Sequence, residues 1–127
     1  MKELLKKCLV EFIGTFFLVL TIGCCVYSGE SGIITPLAIG FVLAVMVYAG
    51  GYISGGHYNP AVSLACLLTK RMSLKDFCFY VLAQIVGGFL GGLAIFGFAK
   101  KSNPIILVEV SILTICISVC KYCPKFL

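Results

Sequence analysis

The sequence predicts an all-α membrane protein: three transmembrane helices plus a re-entrant half-helix, followed by a short fourth helical stretch. Three observations carry this. Hydrophobic residues make up 61% of the 127 positions, only 12% are charged, and the mean hydropathy is +1.11. A soluble domain carries about 25% charged residues, so this chain has too little polar surface to coat a globule. The apolar residues fall in long runs separated by Gly-, Ser- and Lys-rich breaks. One run is too short to cross a bilayer and follows a glycine cluster.

The first run, Leu9 to Tyr27, holds one formal charge, Glu11. It exceeds the roughly 7–15 apolar residues of a secretory signal and more apolar runs follow, so it reads as a retained helix. Glu11 lies about one turn inside it. An ionised carboxylate at that depth is costly and should face the bundle and be paired, with a backbone or side-chain donor from the re-entrant segment as its expected partner. Thr15, four residues on, shares its helix face. Ser28 to Gly32 is turn chemistry. The second run, Pro36 to Ile53, opens with a proline suited to a first helical turn. Gly50, Gly51, Gly55 and Gly56 then break the pattern.

The next apolar piece, Asn59 to Leu68, gives roughly 15 Å of helix, half the hydrocarbon thickness. Non-helical backbone at membrane depth is tolerated only when buried in protein or facing a water-filled cavity. With no charge between Ile53 and Thr69, the piece reads as re-entrant and pore-lining. Asn59 is a favoured N-cap and Pro60 a favoured first helical residue, so the half-helix begins at Asn59. Its N-terminus carries roughly half a positive charge, which repels cations. The Asn59 amide can donate to a water or hydroxyl oxygen, while Gly55, Gly56, His57 and Tyr58 offer backbone carbonyls.

The third long run, Leu74 to Ala99, contains Gln84, which needs a hydrogen-bond partner. Gly87-x-x-x-Gly91 and Gly88-x-x-x-Gly92 suit close helix packing in lipid. A last stretch, Ile105 to Cys120, carries Glu109. Two segments follow: residues 1–99, with the three spans and half-helix, and residues 100–127, with a short loop, a partial fourth helix and a basic tail.

The net charge of +5 does not point to nucleic acid. Lys2, Lys6, Lys7, Lys70, Arg71 and Lys75 flank the spans as the positive-inside rule expects of cytoplasmic segments, and no soluble basic face exists to carry phosphate contacts. The N-terminus is thus expected in the cytoplasm. The eight cysteines lie mostly in apolar runs, where Cys acts as a small hydrophobe. Cys120-x-x-Cys123 with Cys116 lacks a fourth zinc ligand; no metal and no cofactor are expected. No nucleophile–base pair is in view, so no enzymatic step is expected.

Ser54-Gly55-Gly56-His57-Tyr58-Asn59-Pro60-Ala61-Val62-Ser63 resembles the first signature loop of the major intrinsic proteins, the aquaporin and glycerol-facilitator family. Glu11-x-x-x-Thr15 is similar to that family's first-helix motif and Ala83-Gln84-x-x-Gly87 to its third, so the resemblance spans about residues 8–98. It implies the first repeat of an aquaporin-like channel in the cell (plasma) membrane, passing water and small neutral solutes such as glycerol. Asn59, Pro60, Ala61, Gly56, His57 and Tyr58 would line the pore, with Ile39 at the second-helix position of the outer constriction; Ile is less bulky than Phe there and leaves room for solutes larger than water. Glu11, Thr15 and Gln84 would be structural buried polar residues. The family's pore uses a second inverted repeat with another Asn-Pro-Ala and a filter Arg. This sequence has one Asn-Pro-Ala, and its single Arg is Arg71. Leu107-Val108-Glu109-Val110 resembles the start of the fourth helix, but Thr114 falls five residues after Glu109 where four are wanted. The chain therefore reads as a truncated or internally deleted member. As partners it implies the lipid bilayer, the solute, and a homo-oligomer or a full-length relative; as an alternative to conduction, it implies a non-conducting protein that associates with such a relative or has no activity.

Overall fold

A computed structural model describes residues 2–27 and 34–99. It contains α1 (Lys2–Tyr27), α2 (Ile34–Ser54), α3 (Pro60–Leu68) and α4 (Leu74–Ala99). The Ser28–Gly32 turn, the Lys100–Pro104 loop, the partial fourth helix with Glu109 and the Cys120-x-x-Cys123 pair lie outside the described residues. α1, α2 and the Leu74–Gly97 part of α4 are each long and apolar enough to cross a membrane. At nine residues, α3 is not; at 1.5 Å per residue it reaches about 14 Å.

α4 coincides with the predicted run. α1 begins seven residues before its run, because Lys2, Glu3, Leu4, Leu5, Lys6 and Lys7 are good helix formers and Lys6 pairs with Glu3 at 2.8 Å across the first turns. Apolarity marks the part of a helix that suits lipid, not its whole length.

α1 packs against both α2 and α4, and α3 rests on α4. Small residues set these approaches. A Cβ on Gly87 would fall 2.4 Å from the Phe12 carbonyl oxygen, one on Gly91 2.8 Å from that of Phe16, and one on Gly23 1.9 Å from Ile95 Cδ1. The partners rise together along both helices, so α1 and α4 are parallel. Their N-terminal ends, with Lys2, Lys6 and Lys7 on one and Lys70, Arg71 and Lys75 before or in the other, share one end of the bundle. α2 runs the opposite way: Gly50 near its end meets Val10 near the start of α1, while Ile39 and Val42 pack on Leu18, Ile22 and Tyr58. Most of the surface of α2 faces outward, including Phe41, Tyr48 and Tyr52.

α3 is closed at both ends by local hydrogen bonds. Asn59 is extended at φ −156° and its Oδ1 accepts from Ala61 N at 2.8 Å, with Pro60 in the first turn. At the other end Arg71 N donates to Cys66 O at 2.8 Å and Lys70 N to Leu67 O at 3.0 Å. Lys70 sits at φ +58°, taking the left-handed place that glycine usually holds at a helix C-terminus. Ser73 then caps α4 by accepting from Asp76 N at 3.1 Å.

Candidate pore-loop site

The segment from Ser54 to Asn59 reverses the chain between α2 and α3, and its backbone follows from its composition. Gly55 and Gly56 take φ +94° and +67°, values open to glycine at no steric cost. Tyr58 takes φ +49° as well, which costs a residue with a Cβ roughly 1–2 kcal/mol. Such strain persists only where the surroundings over-determine it, and here they do.

The determinant is Glu11. It is fully buried, and its carboxylate gathers donors from three other elements. Oε1 accepts from Ser54 Oγ at 2.6 Å and from His57 N at 3.0 Å. Oε2 accepts from Tyr58 N at 2.6 Å and from Gln84 Nε2 at 2.8 Å. Each oxygen is thus used twice, and the charge is met by short charge-assisted bonds. Thr15 lies on the same face but does not serve the carboxylate: its Oγ1 donates to the Glu11 carbonyl at 2.8 Å. Both backbone donors come from consecutive residues, so the carboxylate acts as a template for the loop.

The Tyr58 side chain points into the helix bundle, where its OH donates to Met46 O at 2.7 Å and its ring fills the space left by Gly14. Any lining of a solute path by Tyr58 is therefore through its backbone. His57 is half-buried, with Nδ1 3.0 Å from Ser63 Oγ. Asn59 is buried, and its Nδ2 has no hydrogen-bond partner among the described residues; neither has Gln84 Oε1. Pro60 and Ala61 form the first turn of α3. Ile39 takes no part in these hydrogen bonds and packs from α2 against the apolar cluster of Leu18, Ile22 and Tyr58.

The structure gives roles to Ser54 and Ser63, which the sequence placed only within the signature stretch, and adds Tyr80. Ser54 Oγ also accepts from Gly56 N at 3.1 Å. Tyr80 OH donates to Ser54 O at 2.6 Å, and its ring meets His57 edge-on with centroids 5.3 Å apart. Tyr80 and Gln84 are four residues apart, on one face of α4. That spacing was a usable signal; what hid Tyr80 is that a tyrosine in an apolar helix also suits a lipid interface.

This arrangement is that of an integral membrane protein of three spanning helices and a half-helix suspended by a buried carboxylate. The family described as major intrinsic protein matches residues 1–120, and the chain belongs to it. Among curated relatives it is 45% identical over 102 residues to aquaporin-9 of Homo sapiens, covering 75% of this chain and 35% of that protein. It is 39% identical over 97 residues to glycerol uptake facilitator protein-like 6 of Lactiplantibacillus plantarum, covering 76% and 45% respectively. To nodulin-26 of Glycine max it is 41% identical over 93 residues, covering 68% and 34%. The chain spans less than half the length of these relatives.

Proposed function

We propose that residues 1–99 form half of the wall of a channel for passive movement of small neutral solutes, water and glycerol-like molecules among them, with no enzymatic step. The observation that carries this is the suspended half-helix. Asn59 caps it through Oδ1, which leaves Nδ2 without a partner among the described residues; a donor so placed suits a solute oxygen. The loop carbonyls on the other side of the turn supply acceptors. The positive end of α3 disfavours cations at the same point, the device of aquaporin-type pores generally. His57, Gly56, Tyr58, Asn59, Pro60 and Ala61 line this half of the path, through backbone in the case of Tyr58. Ile39 is assigned to the outer constriction by resemblance alone. The site lies in the plasma membrane with the N-terminus in the cytoplasm, a reading supported by the six basic residues gathered at one end of the bundle.

A second reading is favoured by the single Asn-Pro-Ala in the sequence. On it, the chain does not conduct alone and joins a full-length relative or further copies of itself in the bilayer. Osmotic swelling of vesicles containing only this chain separates the two. Swelling faster than empty vesicles in water or glycerol gradients supports conduction. Rates equal to empty vesicles, with co-purification and altered permeability when a full-length relative is added, support the second reading.

A further inference from the structure

One hydroxyl joins the loop from α3, and the hydrogens around it can be counted. Ser63 is fully buried, with Oγ 3.0 Å from Gln84 Nε2 and 3.0 Å from His57 Nδ1. Gln84 Nε2 carries two hydrogens, and Glu11 Oε2 lies 2.8 Å away in the other direction. A carboxylate only accepts, and this one also takes hydrogen bonds from Ser54 Oγ, His57 N and Tyr58 N. The Gln84 amide therefore turns its nitrogen to Glu11, and the second hydrogen of that nitrogen goes to Ser63. Ser63 Oγ accepts it and must donate its own single hydrogen elsewhere. Among the described residues, the acceptor within reach is His57 Nδ1. A ring nitrogen that accepts carries no proton, so the proton of the neutral imidazole sits on Nε2.

The two ring nitrogens face different surroundings. Nδ1 is directed at buried Ser63. Nε2 lies beside Gly55, 3.2 Å from where a Cβ on that residue would stand, and Gly55 is exposed. Tyr80 packs against the ring at an interplanar angle of 61° and is itself pinned by its bond to Ser54 O. The imidazole is thus held at one edge by a hydrogen bond and at its side by an aromatic wall.

We propose that Ser63 is a positioning residue that fixes His57 as the Nε2–H tautomer, so that the imidazole presents a hydrogen-bond donor to a solute oxygen beside Gly55. A donor there suits the oxygen of a water or a hydroxyl, which accepts. The solute-facing half of this inference rests on the channel reading above; the tautomer rests on the hydrogen-bond geometry alone.

His57 is the single histidine of the sequence, so nitrogen-15 labelling of histidine gives one imidazole to observe in lipid bilayers. The expected spectrum has a protonated Nε2 and a bare, hydrogen-bonded Nδ1, with magnetisation from water reaching Nε2–H. Ser63→Ala should move the Nδ1 resonance toward that of a free ring nitrogen and allow an Nδ1–H form to appear; Ser63→Thr, which keeps the hydroxyl, should hold the original pattern. A proton on Nδ1 in the unaltered chain overturns the tautomer, and it does so even if Ser63→Ala fails to fold. An unchanged spectrum in Ser63→Ala removes Ser63 from the role. A correct tautomer with no water contact at Nε2–H overturns the solute-facing half and leaves the tautomer assignment standing.

Discussion

Replacing Glu11 by Gln should destabilise the fold by about 3–5 kcal/mol, through hydrogen bonds left unmade and through the loss of charge assistance. The carboxylate oxygens serve two donors each. An amide puts an NH2 where one oxygen stood. If it replaces Oε1, His57 N is left facing a donor; if it replaces Oε2, Tyr58 N is. The Ser54 hydroxyl can turn away and Gln84 can flip its amide, but a backbone N–H held by a positive-φ turn cannot. One buried N–H is therefore orphaned, at about 1–3 kcal/mol. The remaining pair falls from charge-assisted to neutral bonds, roughly 1 kcal/mol each. The sequence contains no Trp, so reversible unfolding in mixed detergent micelles is best followed by circular dichroism. A loss below about 1 kcal/mol would mean that the carboxylate does not template the loop, and would refute this reasoning.

Gly87→Ala should cost about 1–3 kcal/mol, since its Cβ would press on the rigid Phe12 carbonyl, whereas Gly97→Ala, with nothing within 4 Å, should cost nothing in the same unfolding measurement. Tyr80→Phe keeps the ring against His57 and loses the bond to Ser54 O, so a loss of about 0.5–1.5 kcal/mol is expected; a larger loss would assign Tyr80 a packing role beyond that bond. Asn59→Asp keeps an N-cap acceptor but puts a carboxyl at a buried position, so a loss of stability is expected, together with lower solute flux or admission of cations in reconstituted vesicles. Impermeant amine labelling of sealed cells should leave Lys70 unmodified, and labelling from outside would reverse the assigned orientation.

Much of the fold was legible because lipid simplifies the sequence code. The Leu74–Ala99 run and helix α4 share both limits, and a half-length apolar piece after paired glycines, opened by Asn59-Pro60, became α3. The approach of Gly87 and Gly91 to α1 was likewise readable from four-residue spacing. The detailed wiring was not. That Glu11 needed a partner followed from its depth, but nothing local says that it serves residues 43 to 73 positions away. Thr15 illustrates the limit: its spacing put it on the right face, yet its hydroxyl satisfies a backbone carbonyl instead. Ser63 closes the signature stretch with no role assigned from the sequence, and only the folded chain brings it between Gln84 and His57.

Where the Asn59 end of α3 lies, and what it touches, decides whether this half-helix lines a pore. Nitrogen-15 spectra of the Asn59 side-chain amide in bilayers, read with paramagnetic probes at known lipid depths and with magnetisation transfer from water, measure both. The prediction is an amide at the depth of the hydrocarbon midplane that receives magnetisation from water. An amide at headgroup depth, or one at the midplane touched by lipid and not by water, would contradict the pore-loop reading.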